Sequence, residues 1–473
     1  MQDETSAFRT RLEAMLKRRV EGCRALLQLE RLSGGANQET YRLEIATADG
    51  ERRLCLRRAA GGVGHHQTQA PGLATEALLM RVARAAGVPE PEVLHVLVPD
   101  DELGEGFLME WLDGETLGAR IVRAPEFAAM RPRLARQCGE VLARIHAVDL
   151  DATGLRARLQ RVTPAEFVRQ KWLRYQSFGT PQPMIDYTAR WLLAHLPAEE
   201  RVTLVHNDFR NGNLMIDGGG ICAVLDWEIA HIGSPLRDLG WLCTNSWRFG
   251  ASDKPVGGFG DYDDLIAGYE AASGQRVDRA ALHFWEVFGS YWWAIECLGM
   301  AEHYRNGPDK SVERPAIGRR SSECQVDCVN LLMPGPVALV QATLDEDTDM
   351  PRIDELLVSV RDFLHREVMA STEGRTQFFA RVAGNSLELV RRERALGTAQ
   401  RQAERARLEA LLGARGSLTE LRWQLCHALR EERLALTAPG LTEHLRQTVV
   451  NQVAIDQPGY SGLKTALNRA ETA

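Results

Sequence analysis

Apolar positions along the chain fall into two periods, and the switches between them mark out its elements. Residues 3 to 22 repeat at three and four, with Phe8, Leu12, Met15 and Leu16 on one stripe, which predicts an amphipathic helix. Leu26 to Leu32, the alternation Tyr41-Arg42-Leu43-Glu44-Ile45, and Arg52 to Arg57 then predict three strands. The first two are joined through a turn that holds Ser33, Gly34, Gly35 and Asn37. Val93 to Val98 and Gly106 to Leu112 read as two further strands. The helical period returns after Ala128, with Leu134, Cys138, Val141, Leu142 and Ile145 on one face. Leu204-Val205 and Ile221 to Leu225 are short strand signals, and the Gly218-Gly219-Gly220 run before the latter predicts a hairpin turn. Helices follow around Leu265 to Ala272 and Ala280 to His303. The second of these carries Phe284, Trp285, Phe288, Tyr291, Trp292 and Trp293, an aromatic stripe read mainly as core. Past the acidic stretch Gln341 to Pro351, five helices are expected: Asp354 to Val368, Thr376 to Arg394, Arg401 to Leu412, Ser417 to Leu434 and Leu441 to Ile455.

A chain of 473 residues is long enough for two or three domains. No run of 18 uncharged apolar residues suggests a membrane span. The charged, helix-periodic N-terminus is unlike a signal peptide, so a cytoplasmic location is expected. Nine cysteines, odd in number and scattered, suit a reducing compartment. Cys324 and Cys328 stand four apart without a second ligand pair nearby, and read as small buried hydrophobes rather than metal ligands. The net charge of −7, with no strongly basic stripe, sets nucleic-acid binding aside. Lysines are scarce, at Lys17, Lys171, Lys254, Lys310 and Lys464 only, so a catalytic cation between positions 17 and 171 has to be an arginine.

The stretch with the most chemistry runs from Leu204 to Asp238. It places Asp208, Asn213 and Asp226 at the ends of short strands. A hydroxyl nucleophile needs a carboxylate to orient it and take its proton, and Asp208 is placed for that. A nucleoside triphosphate needs Mg²⁺, a hard cation for which Asn213 and Asp226 supply oxygens. A bland hairpin with polar turn residues does not account for an Asp, an Asn five positions on and a distal Asp together. His206 reads as structural, and Asp238 as a brace for the loop. Upstream, strand, glycine turn and strand across Ser33, Gly34, Gly35 and Asn37 suit a phosphate-covering loop, since glycines let backbone amides approach anionic oxygens.

His206-Asn207-Asp208-Phe209-Arg210-Asn211-Gly212-Asn213, followed by Val224-Leu225-Asp226-Trp227-Glu228, resembles the aminoglycoside phosphotransferase family of small-molecule kinases. The resemblance is to the branch also found fused to acyl-CoA dehydrogenases. The family usually has Gly where this chain has Asn207. The resemblance implies that Arg57, with Arg58 as the fallback, contacts the α and β phosphates, and that Glu76 pairs with that cation. It also implies that Glu110 and Trp111 lie in the inter-lobe linker that meets the adenine edge. Beyond the aromatic helix, Arg305, Arg314, Arg319 and Arg320 are placed to meet an anionic acceptor tail, and the C-terminal helices resemble a domain of unknown function found beside such kinases.

The expectation is therefore an α+β, bilobal, protein-kinase-like fold with an appended helical domain. Residues 1–24 would be an N-terminal helix, 25–115 the nucleotide lobe, 116–340 the catalytic and acceptor lobe, 341–350 a linker and 351–473 the helical domain. The expected reaction moves the γ-phosphate of ATP, with Mg²⁺, to a small-molecule hydroxyl, with a hydroxyacyl-CoA-like metabolite favoured as acceptor. Two rivals accompany it: a catalytically weak nucleotide-binding scaffold, and a tail that docks a partner or forms a homodimer.

Overall fold

The computed structural model describes residues 2–32, 38–60, 71–198, 201–342 and 349–471. Its first element, α1 (Gln2–Arg19), follows the three-four stripe, and Phe8, Leu12, Met15 and Leu16 are all buried. They pack on an antiparallel sheet of β1 (Ala25–Arg31), β2 (Gln38–Thr47), β3 (Gly50–Ala59), β4 (Val93–Val96) and β5 (Gly106–Glu110), in the order β1-β2-β3-β5-β4. Alternation fixes the register: Tyr41 lies opposite Leu56 and Leu43 opposite Leu54, and all four join the cluster beneath α1. Next, α2 (Leu73–Ala85) turns Leu73, Ala77, Met80 and Ala83 into a second cluster with Ala59 and Phe107.

The chain continues through α3 (Gly118–Arg123), α4 (Arg131–His146), α5 (Pro164–Ser177) and α6 (Pro183–Ala194). Two short strand pairs follow, β6 (Thr203–Val205) with β9 (His231–Gly233), and β7 (Leu214–Ile216) with β8 (Ile221–Val224). After them come α7 (Leu236–Cys243), α8 (Tyr262–Ser273) and α9 (Arg279–Asn306). Helices α4 and α8 touch backbone to backbone: a Cβ on Gly139 would stand 2.2 Å from the Leu265 carbonyl oxygen, and one on Gly268 2.2 Å from that of Arg136. Only glycine permits that approach.

The C-terminal region comprises α10 (Glu313–Arg319), α11 (Ser321–Leu332), α12 (Ile353–Asp362), a π turn at Phe363–Val368, α13 (Met369–Ser371), α14 (Gly374–Leu412), α15 (Leu418–Arg430), α16 (Leu441–Asp456) and α17 (Ser461–Glu471). The helices expected at 376–394 and 401–412 are one, the 39-residue α14. The break expected near Gly397 is bridged, because Arg401 reaches back 2.6 Å to Glu393 across the glycine. Helices α5, α6 and α17 were not among the elements read from periodicity. Among the described residues, no helix is long and apolar enough to cross a membrane.

The fold is α+β and kinase-like, with a five-stranded sheet, a mainly helical middle region and a large helical C-terminal region. Its compact division does not follow the boundaries read from the sequence. One unit holds Met1–Thr163, Ala198–Cys243 and Lys254–Leu282; the other holds Pro164–Pro197, Thr244–Asp253 and His283–Ala473. The C-terminal helices thus share a unit with α5, α6, most of α9, α10 and α11. Buried charge ties them there: Arg430 of α15 forks onto Asp186 of α6 at 2.8 and 3.1 Å.

Candidate active site

Pairing of β6 with β9 delivers His206, Asn207 and Asp208 onto a loop in the first unit. The β7–β8 hairpin brings Asn213 and Asp226 together, since the Leu225 amide donates to the Asn213 carbonyl at 2.8 Å. Two residues here have left-handed backbones, Asn207 at φ 71° and Asp226 at φ 70°. That is why Asn can stand where the resembling family has Gly: it tolerates this region better than other side chains do. Asp238 braces the loop from below, its carboxylate accepting the amides of His206 at 2.9 Å and Asn207 at 2.7 Å. His146 Nε2 meets the same carboxylate at 3.1 Å, and its Nδ1 meets the Tyr269 hydroxyl at 3.1 Å. His146 is therefore a buried brace. Burial works against the charge on Asp238, but the hydrogen bonds from His146 and the His206 backbone outweigh it and hold the carboxyl low. His206 itself is buried, with Nδ1 accepting the Asp208 amide at 3.2 Å and Nε2 at 3.2 Å from the Leu225 carbonyl.

Three donors fix Asp208. Trp241 Nε1 at 2.7 Å and Arg210 Nε at 3.0 Å meet Oδ1, while Asn213 Nδ2 meets Oδ2 at 2.6 Å. A carboxylate offers about four acceptor positions, so among the described residues Oδ2 keeps one unfilled. The Asn213 nitrogen is spent on Asp208, which leaves its oxygen as the end available to a cation. Trp241 is a contact that sequence reasoning missed. It lies on α7, 33 residues downstream, and periodicity marks it only as an apolar helix position. Arg210 stands inside the motif but was not singled out.

Arg57 of β3 gathers three carboxylates. Its Nε lies 3.1 Å from Glu76 of α2, its terminal nitrogen 2.8 Å from Asp226 and 4.0 Å from Glu228, and Gln38 Oε1 accepts from Nε at 2.5 Å. The pairing of Glu76 with a strand arginine is thus present, and Arg57 rather than Arg58 makes it. Arg58 instead bonds Glu39 at 2.7 Å. Burial pushes the Glu76 carboxyl up to about 7 despite Arg57, and the charges of Asp226 and Glu228 push the same way. Burial and then Asp226 raise Glu228 as well. Three acidic groups around one guanidinium leave an excess of negative charge, and Asp226 with the Asn213 side-chain oxygen offers hard donors of the kind Mg²⁺ takes.

Arg57, Glu76 and Asp226 open onto a cavity of about 470 Å³, of ordinary size for a small-molecule site. Apolar walls come from Met80, Phe107, Met109 and Leu225. Glu110 and Trp111 line it too, with the Glu110 amide bonded to the Glu92 carbonyl at 2.9 Å and Trp111 Nε1 to Asp113 at 3.0 Å. Leu32 and Thr40, which flank the glycine turn, also line it and are bonded to each other at 2.9 Å. Ser33, Gly34, Gly35 and Asn37 themselves lie outside the described residues, as does the His65-His66 loop.

Residues 28–274, which contain this whole constellation, match the phosphotransferase enzyme family, APH. The chain belongs to that family. Residues 370–460 of this phosphotransferase-family chain match a domain of unknown function, DUF6285. It is similar to acyl-CoA dehydrogenase family member 10 of Mus musculus, 31% identical over 261 residues covering 53% of this chain and 23% of that protein. Acyl-CoA dehydrogenase family member 11 of Homo sapiens is 22% identical over 400 residues, covering 78% of this chain and 49% of that one. The chain spans half or less of the length of these curated relatives. A crystal structure from Ralstonia eutropha, assigned to the aminoglycoside phosphotransferases, has the same fold: TM-score 0.55 and 23% identity, covering 68% of this chain and 97% of that one.

In this phosphotransferase-family chain, three of the four arginines considered for an acceptor tail are engaged elsewhere in the second unit, and the fourth, Arg305, is exposed. Arg314 pairs with Asp309 at 2.8 Å, Arg319 with Asp456 at 2.7 Å, and Arg320 with Glu323 at 3.2 Å. The aromatic stripe of α9 is mainly core: Phe284, Trp285, Phe288, Tyr291 and Trp292 are buried, Trp293 is half-buried, and Phe288 meets Phe167 in a tilted pair with ring centres 4.7 Å apart. Cys324 and Cys328 are buried thiols, and the described residues contain no cluster of three or more metal-ligating side chains.

Proposed function

We propose that this member of the phosphotransferase family moves the γ-phosphate of ATP to the hydroxyl of a small molecule, and that the acceptor is a hydroxyacyl thioester. The observation that carries the reading is the fixed Asp208 carboxylate, with one acceptor position left on Oδ2. The hydroxyl oxygen attacks the γ-phosphorus, its proton passes to Asp208, the bond to the β–γ bridging oxygen breaks, and ADP leaves. Asn213 and Asp226 would hold Mg²⁺, which when bound neutralises charge on the phosphates. Arg57, steadied by Glu76 and bonded to Asp226 through one terminal nitrogen, presents the other to the α and β phosphates, and the 470 Å³ cavity takes the nucleoside. Catalysis is then chiefly positioning and charge stabilisation. The acceptor class is supported by the relatives, whose names place them among acyl-CoA dehydrogenases.

Asp208→Asn is expected to lower turnover on the order of 10²-fold or more, the scale of a positioned base. Unchanged turnover removes Asp208 from that role. Mg·ATP at roughly 100 times its Kd should stabilise the protein by about 2.7 kcal/mol, and Asp226→Asn should abolish the shift. ADP release measured with hydroxyacyl-CoA, choline, sugars, homoserine and kanamycin should respond to hydroxyacyl-CoA. A response to kanamycin alone overturns the acceptor assignment.

A further inference from the structure

The second unit contains a cavity of about 210 Å³ that the proposed reaction does not use. Its polar lining comes from α14, α15 and α16, inside the segment that matches the domain of unknown function, together with Arg319 of α10 and Ser321, Ser322 and Gln325 of α11. His444 of α16 lines it at 2% exposure, and neither ring nitrogen has a hydrogen-bond partner among the described residues. Buried polar atoms are almost always satisfied, so two orphans on one ring are a strong signal of a missing partner. Burial, then the charges of Arg407 and Arg422, push the ring down to about 3, so at neutral pH it offers one N–H donor and one acceptor.

The charges that line the cavity are matched, while Arg407, which is not part of its lining, donates to the Thr448 hydroxyl at 3.1 Å. Arg422 forks onto Glu404 at 2.6 and 2.5 Å, and Arg319 meets Asp456 at 2.7 Å. A charged ligand would have to break one of these pairs or enter without a counterion. Its apolar lining includes Met184 of α6 and, on α16 beside His444, Leu445 and Val449. A cavity of about 150 Å³ is enough for benzene, so this one holds a single ring with a polar substituent.

We propose that the cavity at His444 is a second small-molecule site, and that its ligand is a neutral, ring-sized molecule carrying an amide or hydroxyl. The ring of the ligand lies against Met184, Leu445 and Val449, and its polar group meets the imidazole. This gives the C-terminal helices a ligand-binding role separate from phosphoryl transfer.

Benzamide, benzoate and benzene share a ring and differ in the group offered, so together they test the chemistry. Each is titrated into the full-length protein by calorimetry, with the His444 imidazole ¹⁵N signals followed by NMR. Benzamide is expected to bind and shift those signals, with benzoate and benzene at least about tenfold weaker, the scale of one hydrogen bond made or lost. His444→Phe keeps the volume and removes both nitrogens, and should weaken benzamide by at least the same factor. Should that variant fail to fold, the ¹⁵N shifts of the unsubstituted protein decide the matter. Absence of benzamide binding, unmoved His444 signals, equal binding of benzoate or benzene, or full binding by folded His444→Phe each overturns the proposal. So does displacement of benzamide by Mg·AMP-PNP, which would put it in the nucleotide cavity instead.

Discussion

Asn207 occupies a backbone region that costs most L-residues roughly 1–2 kcal/mol, and its side chain is at work as well. Its Oδ1 accepts from Arg237 Nε at 3.0 Å, and its Nδ2 donates to the Ile229 carbonyl at 3.2 Å. Arg237 is wholly buried, with its guanidinium 4.7 Å from the Trp241 ring that donates to Asp208. Restoring glycine would relax the backbone but take an acceptor from a buried cation. Asn207→Gly should therefore destabilise by about 1–3 kcal/mol in urea unfolding. Asn207→Ala, which adds backbone strain to the same loss, should be worse. The reverse order would mean the side chain contributes little. Asp208, Asn213 and Asp226 were legible in the sequence because short loops and one hairpin hold them, so spacing along the chain stands for spacing in the fold. Trp241 and Arg237 were not, because they arrive from a helix some thirty residues on whose pattern announces burial and not a partner.

Elements, rather than single residues, bring Glu76 to Arg57: α2 presents the acid and β3 the base. The carboxyl is 2% exposed and pushed up to about 7, above its ordinary value near 4.5. Between those two values the folded protein keeps a proton that the unfolded chain releases, so stability from this group is full below about pH 4.5 and falls as pH rises toward 7. The loss is at most ~3 kcal/mol, and it levels off above that window. Glu76→Gln cannot titrate. Thermal unfolding of the ligand-free protein at a series of pH values should show the wild type losing ground to Glu76→Gln between pH 4.5 and 7, and a constant difference would refute the assignment. Sequence reading placed β3 well, since it carries a clear strand pattern, whereas the role of Glu76 came from the family resemblance. It divided α14 in two because Gly397 interrupts the helical pattern, and the Glu393–Arg401 pair that spans the glycine is a contact no window of apolar residues reveals.

For the whole molecule, the question is whether the C-terminal helices are cargo or structure. Amphipathic helices state that they need a partner without saying which, so the sequence suggested a separate domain beyond a hinge. The fold instead makes them complete the polar core of the second unit. Asp186 on α6 is fully buried, held by Trp172 Nε1 at 2.6 Å, by the Tyr175 hydroxyl at 3.3 Å and by the Arg430 fork. Asp327 on α11 receives the Tyr460 hydroxyl at 2.6 Å and Asn245 Nδ2 at 2.7 Å. Removing residues 351–473 would leave Asp186 with no cation and Asp327 without its tyrosine. A single substitution isolates the effect. Arg430→Ala strands a buried carboxylate, and breaking such a pair generally costs about 3–5 kcal/mol. Asp186→Asn in the same chain removes the charge that was stranded, and should recover a large part of that loss. If the helices merely rest on the unit, Arg430→Ala will cost well under 1 kcal/mol, as exposed pairs do, and the Asn partner will recover nothing. Rescue by Asp186→Asn would instead show that the C-terminal helices neutralise a charge the preceding helices bury, so the truncated chain could not keep that unit intact.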